Sequence, residues 1–356
     1  MKLAVVLVHY HTPDLLRPAC DALVADAAAG GIELEGLVVD NGSGPEDRGV
    51  LQALPFPCLT PGCNLGFAGG VNLGFRKTTA DVVVMMNPDV EVLPGCLAAL
   101  TEALEDGAAA AGPRFYWDQG KRFLLPPTEE VSRRAELLRL LAQRSPAWAA
   151  RARGRWRHHA RRHWTARAPV TTYDLSGALL AIRRPAWRRV GSFDKEYRLY
   201  FEETDWLLRL RSSGLAARFV PAAEAVHLFA QSTAVERRAE AWFLKSHRRF
   251  RRRAYGGAFT RLLELFGPSR KTSGLAGEPL AVEDASRGED RRRRAAWLEV
   301  SSSPIGYPAA GRRLRGDRSE EDLPPEIYAR LAPGTYTLRT VDTQGRELAA
   351  KKLAKS

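Results

Sequence analysis

Apolar runs and polar breaks alternate through the first third of the chain. Residues 3–8 (LAVVLV) form an unbroken, partly β-branched apolar run, which predicts a strand buried on both faces. Thr12, Pro13 and Asp14 then read as a helix start, with Thr as N-cap, Pro at the first helical position and an acid in the first turn. Leu15, Leu16, Ala19, Leu23 and Val24 follow at helical spacing, and Gly30-Gly31 closes the element. Residues 36–39 and 82–86 are two further buried-strand runs, stopped by Asp40-Asn41-Gly42-Ser43 and by Asn87-Pro88-Asp89. Strands alternating with helices predict parallel pairing and an α/β fold. In such sheets ligands bind beyond the carboxyl ends of the strands. The polar clusters at 9–12, 40–43 and 87–89 each follow a buried strand, so all three are expected to face one crevice.

The texture then changes. Residues 132–167 are crowded with Arg, interleaved with His158, His159, His163, Trp148, Trp156 and Trp164, and predict a basic helical insertion. The α/β texture returns over 171–221, and 234–266 is helical and again Arg-rich. Gly, Pro, Ser and charge over 269–295 read as a linker. Beyond it, strand character at 297–302 and 334–340, with a turn at Asp342-Thr343-Gln344-Gly345, predicts a small β-rich module at 296–356. A β-sandwich and a layer packed on the first domain are both open for it.

Composition narrows the class only in part. Hydrophobic residues make up 45% of the chain, which excludes global disorder. The formal charge of +13, from 54 Lys+Arg against 41 Asp+Glu, attracts polyanions without choosing among nucleic acid, anionic lipid and phosphorylated substrates. Cys20, Cys58, Cys63 and Cys96 form no C-x-x-C pair and have no His cluster beside them, which argues against structural zinc and suits a reducing cytosol. No stretch of about 20 apolar residues predicts a membrane-spanning helix.

Several side chains carry candidate chemistry, each with a plainer alternative. Asp89, in a Pro turn past a buried strand, suits a hard cation such as Mg²⁺ or Mn²⁺; it equally suits a turn acid capping the next helix. Glu202, Glu203 and Asp205 stand among Tyr200, Phe201 and Trp206. Acids at a helix start are favoured by the macrodipole, yet a carboxylate beside apolar rings can have the raised pKa of a general base. His227 reads as a core histidine, or as the second ligand if Asp89 holds a metal. The glycine-rich loop at 64–72 would let backbone approach a ligand, but matches neither the P-loop nor the dinucleotide fingerprint.

Taken together, 5–13 (VVLVHYHTP), 37–43 (LVVDNGS), 64–74 (NLGFAGGVNLG), 86–90 (MNPDV), 176–182 (SGALLAI), 191–209 (GSFDKEYRLYFEETDWLLR) and 220–227 come in an order that resembles family 2 glycosyltransferases. The likeness is to the rhamnosyltransferase-like branch and spans about 3–232, with a basic stretch at 245–256 that resembles the segment following it. The resemblance implies a GT-A type fold with a mainly parallel central sheet, as a catalytic domain over 1–268. It implies an inverting transfer from a nucleoside-diphosphate sugar (dTDP-rhamnose or a UDP-sugar) to a glycan or lipid-diphosphate acceptor in cell-surface polysaccharide synthesis.

Carried onto this sequence, the donor-binding set is His9, Thr12, Asp40, Asn41, Gly66, Gly69, Asn72, Asn87, Asp89 and Gly177, with Asp40 on the pyrimidine base. Asp89 matches the last acid of the family's D-x-D motif, whose first acid is here Asn87. His227 matches the His that completes the site for Mg²⁺ or Mn²⁺. Glu203 takes the catalytic base position, a Glu where Asp is usual, with Glu202 and Asp205 beside it. Ala230-Gln231 occupy a stretch where the family carries a glycine.

A cytoplasmic protein is expected, with the basic helices either solvated or touching the anionic inner face of the plasma membrane. Three rivals remain. A nucleic-acid-binding protein fits the charge but lacks a recognisable binding motif. A nucleotidyltransferase would want a basic phosphate loop near the first strand. A catalytically silent sugar-binding relative fits the Asn87 and Ala230 departures.

Overall fold

The computed structural model describes residues 2–228, 239–267, 295–314 and 323–355. Positions 230–231 and all but the last residue of the linker expected at 269–295 lie outside them. In chain order the strands are β1 (Leu3–His9), β2 (Leu34–Asp40), β3 (Cys58–Leu59), β4 (Val82–Met86), β5 (Val90–Val92), β6 (Ala110–Tyr116), β7 (Val170–Thr171), β8 (Leu179–Arg183), β9 (Ala217–His227), β10 (Ala295–Ser301), β11 (Ala310–Arg313), β12 (Gly334–Asp342) and β13 (Glu347–Lys355). The helices are α1 (Pro13–Ala29), α2 (Arg48–Gln52), α3 (Gly66–Lys77), α4 (Cys96–Glu105), α5 (Arg133–Ala142), α6 (Pro146–Trp164), α7 (Arg184–Val190), α8 (Glu202–Ser212), α9 (Ala239–Tyr255), α10 (Gly257–Leu265) and α11 (Pro325–Arg330). They form two compact units: Met1–Phe115 with Ala166–Thr260, and Tyr116–Thr165 with Arg261–Ser356.

The first unit is built on one sheet of order β3-β2-β1-β4-β8-β6-β9-β5, with β7 on β9. Strands β3, β2, β1 and β4 are parallel, as the alternating pattern predicts. From β4 outward the partners turn antiparallel: β8 on β4, β6 on β8, and both β5 and β7 on β9. Every residue of β1 and β4 is buried. Leu3, Val5 and Leu7 enter one core with Leu16 and Leu23 of α1 and Leu97 and Leu100 of α4. Ala4, Val6 and Val8 enter a second core with Val71 and Phe75 of α3 and Trp206 of α8. Alternate side chains of a strand point to opposite faces, so helices on both sides bury both sets.

The glycine-rich run expected as a loop is instead the helix α3. Glycine costs a helix roughly 1 kcal/mol per residue relative to Ala, so local propensity argues against it. Packing overrides that cost: a Cβ at Gly74 would lie 2.2 Å from Val6 Cγ1, and one at Gly70 2.9 Å from Val8 Cγ1. The glycines bring the helix down onto β1.

The second unit has a four-stranded antiparallel sheet of order β11-β10-β12-β13. The Asp342–Gly345 turn joins β12 to β13 as expected, and β11 has no counterpart in the sequence pattern. The basic segment expected as an insertion in the first domain belongs to this unit. Its helices pack there through Ala152, Trp156, Ala160 and Trp164, which share a core with Trp297 and Val341. Arg157, 3% exposed, makes a bidentate pair with Glu299 at 2.6 and 2.8 Å. One turn away on either side, Arg153 binds Glu347 at 2.6 Å and Arg161 donates to the Asp342 carbonyl at 2.6 Å. This face of α6 is therefore neither solvated nor open to a membrane. Its charge answers the buried Glu299, the more exposed Glu347 and backbone carbonyls, because an unpaired buried guanidinium would cost far more.

Gly74→Ala is expected to lower the stability of the protein by about 1–3 kcal/mol through overpacking against Val6. Urea unfolding should show a lower midpoint at unchanged slope; an unaltered midpoint would refute the packing role.

Candidate active site

The carboxyl ends of β1, β2 and β4 and the loops after them surround a cavity of about 270 Å³. Its wall includes Thr12, Asn41, Gly66, Asn87, Asp89, Gly177, Glu202, Glu203 and His227 from the expected set. The crevice inferred from three polar strand ends therefore exists, with at least one residue from each cluster in its wall.

The residues at the β1 and β2 ends mostly hold the wall together. His9 is fully buried; its Nε2 lies 3.2 Å from Asp47 Oδ2 and its Nδ1 3.3 Å from Thr12 Oγ1. Burial lowers its pKa against the raising effect of Asp47 and Asp40. The Thr12 hydroxyl is thus spent on His9 and does not cap α1, although Pro13 opens that helix as predicted. Asp40 lies opposite His9 in the β1–β2 register and accepts from the Ser43 amide at 3.1 Å; it is outside the cavity wall. Asn41 accepts from the Leu65 amide at 2.8 Å and donates to Asn64 Oδ1 at 3.2 Å, which fixes the start of α3. Gly66 has φ +73, and a Cβ there would lie 3.1 Å from the Arg198 carbonyl. Gly69 and Asn72 point elsewhere. A Cβ on Gly69 meets Leu65, and the Asn72 amide donates to the Phe193 carbonyl at 2.8 Å. Those two positions pack the fold and do not touch the cavity.

Asp89 and His227 are brought together by sheet register. β5 pairs with β9 so that Val90 lies opposite His227, and the Leu228 amide donates to the Asp89 carbonyl at 2.9 Å. His227 Nε2 then stands 3.5 Å from Asp89 Oδ1. Asp89 is 2% exposed, and its Oδ1 is buried without a hydrogen bond. Such an orphaned carboxylate oxygen is costly unless a ligand supplies its partner.

Glu202 and Glu203 open α8 behind two left-handed residues, Tyr200 (φ 65) and Phe201 (φ 71). Non-glycine residues hold that conformation only where surroundings over-determine it. Here Phe201 stacks on the His247 ring at 5.0 Å and the Phe250 ring at 5.3 Å, both on α9. Ser246 Oγ also donates to the Leu199 carbonyl at 2.9 Å. The two carboxyl groups are therefore held in place at the helix start. Burial pushes both pKa values up, that of Glu202 well above the ordinary carboxylate range, with the Glu203 charge adding to it. The backbone amides of Glu203, Thr204 and Gly177 pull Glu203 the other way and lose to burial. Oε2 of each is buried without a hydrogen bond. Gly177 is needed for this arrangement, since a Cβ there would stand 3.1 Å from Glu203 Cγ.

Asp205, expected beside the catalytic pair, faces away from the cavity. It binds Arg209 Nε at 2.9 Å and Arg253 Nε at 3.1 Å, and so ties α8 to α9. Two positions beyond Glu203 on a helix, it does not share that residue's face. Sequence reasoning also passed over Arg198, Tyr200 and Trp242, which line the cavity. Arg198 and Tyr200 lie in the stretch 191–209 already singled out; Trp242 has no local signal, being one more aromatic in an Arg-rich helix.

Residues 4–177 match the family model described as "Glycosyl transferase family 2". Over 214 residues the chain is 32% identical to the N-acetylglucosaminyl-diphospho-decaprenol L-rhamnosyltransferase of Mycobacterium tuberculosis, in both strains CDC 1551 / Oshkosh and ATCC 25618 / H37Rv. That match covers 55% of this chain and 67% of the relative. The chain belongs to glycosyltransferase family 2, on its rhamnosyltransferase-like side, and has the GT-A type fold. Among solved structures, it is similar to the mannosyltransferase PcManGT from Pyrobaculum calidifontis in complex with GDP-Man and Mn²⁺, at 17% identity and a TM-score of 0.45, covering 69% of this chain and 61% of that one. GalNAc-T7 with UDP, GalNAc and Mn²⁺ matches at 15% identity and a TM-score of 0.45, over 64% of this chain and 43% of that one. The chain spans less than two thirds of either solved structure.

Asp205→Asn is expected to loosen α9 while leaving the cavity carboxyls in place. Amide exchange should quicken across 239–255, with a stability loss of about 1–3 kcal/mol, since both arginines are partly solvated. Unchanged exchange there would show that the pair does not hold the helix.

Proposed function

We propose that the chain transfers a sugar, rhamnose, from a nucleoside-diphosphate donor to a hydroxyl of a glycan or lipid-linked acceptor, with inversion at the anomeric carbon, in the synthesis of a cell-surface polysaccharide. The observation that carries this reading is the convergence of two buried groups on one cavity. The Asp89–His227 pair and the Glu202–Glu203 pair both line it, beyond strands where an α/β sheet binds its ligands. The relative named for rhamnosyl transfer to N-acetylglucosaminyl-diphospho-decaprenol supports the donor sugar and a lipid-diphosphate acceptor. Among the described residues no helix is long and apolar enough to cross a membrane. In this reading such an acceptor is met at the cytoplasmic face of the membrane.

The residues fit a divalent cation. Asp89 offers an orphaned buried oxygen, and His227 Nε2 stands 3.5 Å from it. Among the described residues no third His, Cys, Asp or Glu completes a cluster. Mg²⁺ and Mn²⁺ accept few protein ligands and fill their shell with phosphate oxygens and water, so two suffice. Bound there, the ion would neutralise charge growing on the diphosphate as it departs.

Glu203 acts as base. Its carboxylate takes the proton of the acceptor hydroxyl as that oxygen bonds to the anomeric carbon. The bond from that carbon to the diphosphate oxygen breaks, and its electron pair leaves with the diphosphate. Glu202, 4% exposed and the more deeply buried of the two, keeps its proton and stays neutral beside the working carboxylate. Two adjacent buried carboxyls cannot both ionise cheaply.

Glu203→Gln is expected to lower kcat on the order of 10²–10⁴-fold, whereas Glu202→Gln retains most turnover. In the wild type, kcat/KM should rise with pH through a limb above the ordinary carboxylate value of about 4.3, because only ionised Glu203 can accept the proton. A tolerant Glu203→Gln with a dead Glu202→Gln would reverse the assignment.

Calorimetric titration with dTDP-rhamnose, UDP-sugars and GDP-sugars, with and without Mg²⁺ or Mn²⁺, tests the reading as a whole. One donor should bind in a metal-dependent way and lose that dependence in Asp89→Ala. A folded protein that binds no nucleotide sugar would overturn the proposal and favour a catalytically silent relative or a nucleic-acid-binding role.

A further inference from the structure

The cavity wall is acidic, with Asp89, Glu202 and Glu203, and one of its side chains carries a permanent positive charge: Arg198. Among the described residues its guanidinium makes no ion pair and no hydrogen bond; its contact is the Trp242 ring, 5.7 Å from the ring centroid. At that distance the guanidinium is within range of cation–π attraction to the indole. Its N–H donors make no hydrogen bond among the described residues and can fork onto an oxyanion.

Both halves of this pair are fixed from behind. The Arg198 carbonyl accepts from the Phe67 amide at 3.0 Å, at the close approach that requires glycine at position 66. Trp242 sits on α9, which is tied to the same loop through Ser246 to Leu199 and through Arg249 to Asp194 at 2.8 Å. An exposed arginine that served only solubility would need neither constraint. A diphosphate entering this cavity adds negative charge to a wall that already holds three carboxyl groups, and among its described residues Arg198 is the side chain with a permanent positive charge to offset it.

We propose that Arg198, seated on Trp242, is the oxyanion ligand of the cavity and engages a diphosphate group, with Trp242 as its positioning residue. The chemistry is shared by two sources, the nucleoside diphosphate of the donor and the lipid diphosphate of an acceptor. The inference rests on the transferase reading above, and its test separates the two.

The full chain would be titrated with thymidine diphosphate and, separately, with farnesyl diphosphate as a soluble prenyl diphosphate. Wild type, Arg198→Ala, Arg198→Lys and Trp242→Ala would be compared, with melting temperature as the folding control. Arg198→Ala should weaken one diphosphate roughly ten- to a hundredfold at unchanged melting temperature, as expected for loss of a charge-assisted contact, and Arg198→Lys should recover part of it. Loss confined to thymidine diphosphate assigns the donor; loss confined to farnesyl diphosphate assigns the acceptor. Trp242→Ala should raise KM for the same substrate more than it lowers kcat, and Trp242→Phe should restore it. If wild type binds a nucleotide sugar but Arg198→Ala binds both diphosphates equally well, this inference falls while the transferase reading stands. If wild type binds no diphosphate at all, both fall.

Discussion

Parallel pairing of β1 between β2 and β4 is the constraint from which the rest follows. A strand buried on both faces has no solvent to satisfy polar side chains, so its polar residues collect at its ends. The register aligns His9 with Asp40 and runs Leu3–Leu7 beside Val82–Met86, so three chain reversals occur at one edge of the sheet. Each reversal carries hydrogen-bonding side chains that must find partners in a small space. His9 with Asp47, Asn41 with the Leu65 amide, and the Asn87 amide with the Ala178 carbonyl are the result. The cavity is what remains between these satisfied loops. Among the buried polar atoms left without a hydrogen bond, Asp89 Oδ1 and Oε2 of the two glutamates belong to residues that line it.

The same reasoning separates the groups that line the cavity from those that brace it. Of the five carboxyls the sequence assigns to the site, four show contrasting fates. Asp205 is matched by Arg209 and Arg253, which stabilise its charge. Glu202 and Glu203 meet no cation among the described residues, so burial dominates and favours the protonated form. Asp89 has a histidine too far for a hydrogen bond and near enough to share a ligand. The left-handed turn at Tyr200 and Phe201 costs of order 1–3 kcal/mol per residue, and the aromatic stack from α9 offsets it. Helix α9, basic by composition, is in this sense part of the site's support.

Much of this was legible in the sequence because it is written locally. Buried parallel strands are continuous apolar runs, and their ends are turn residues, so β1, β2, β4 and the crevice could be read directly. The antiparallel half was not, because nothing in a stretch as short as Val90–Val92 names its partner at Ala225–His227, more than a hundred residues further on. Helix α3 was misread as a loop, since its four glycines oppose a helix until β1 is there to pack on. The arginines of α6 looked like a surface because their acids, Glu299 and Glu347, lie far along the chain. Glu202, Glu203, Asp89 and His227 stand in the stretches the pattern singled out and line the cavity; that Asp205 faces α9, and that Trp242 reaches the cavity, depended on contacts only the folded chain makes.

The β5–β9 pairing has a consequence for how the protein comes into being. Asp89 leaves the ribosome early, on a parallel half-sheet that can already begin to collapse, whereas His227 follows only after the whole of β9 has been made. At ordinary rates of synthesis that interval is on the order of ten seconds. During it, β5 has no partner strand. The nascent chain therefore passes through a stage in which the strands of the sheet's first half have been made but Asp89 and His227 have not been brought together.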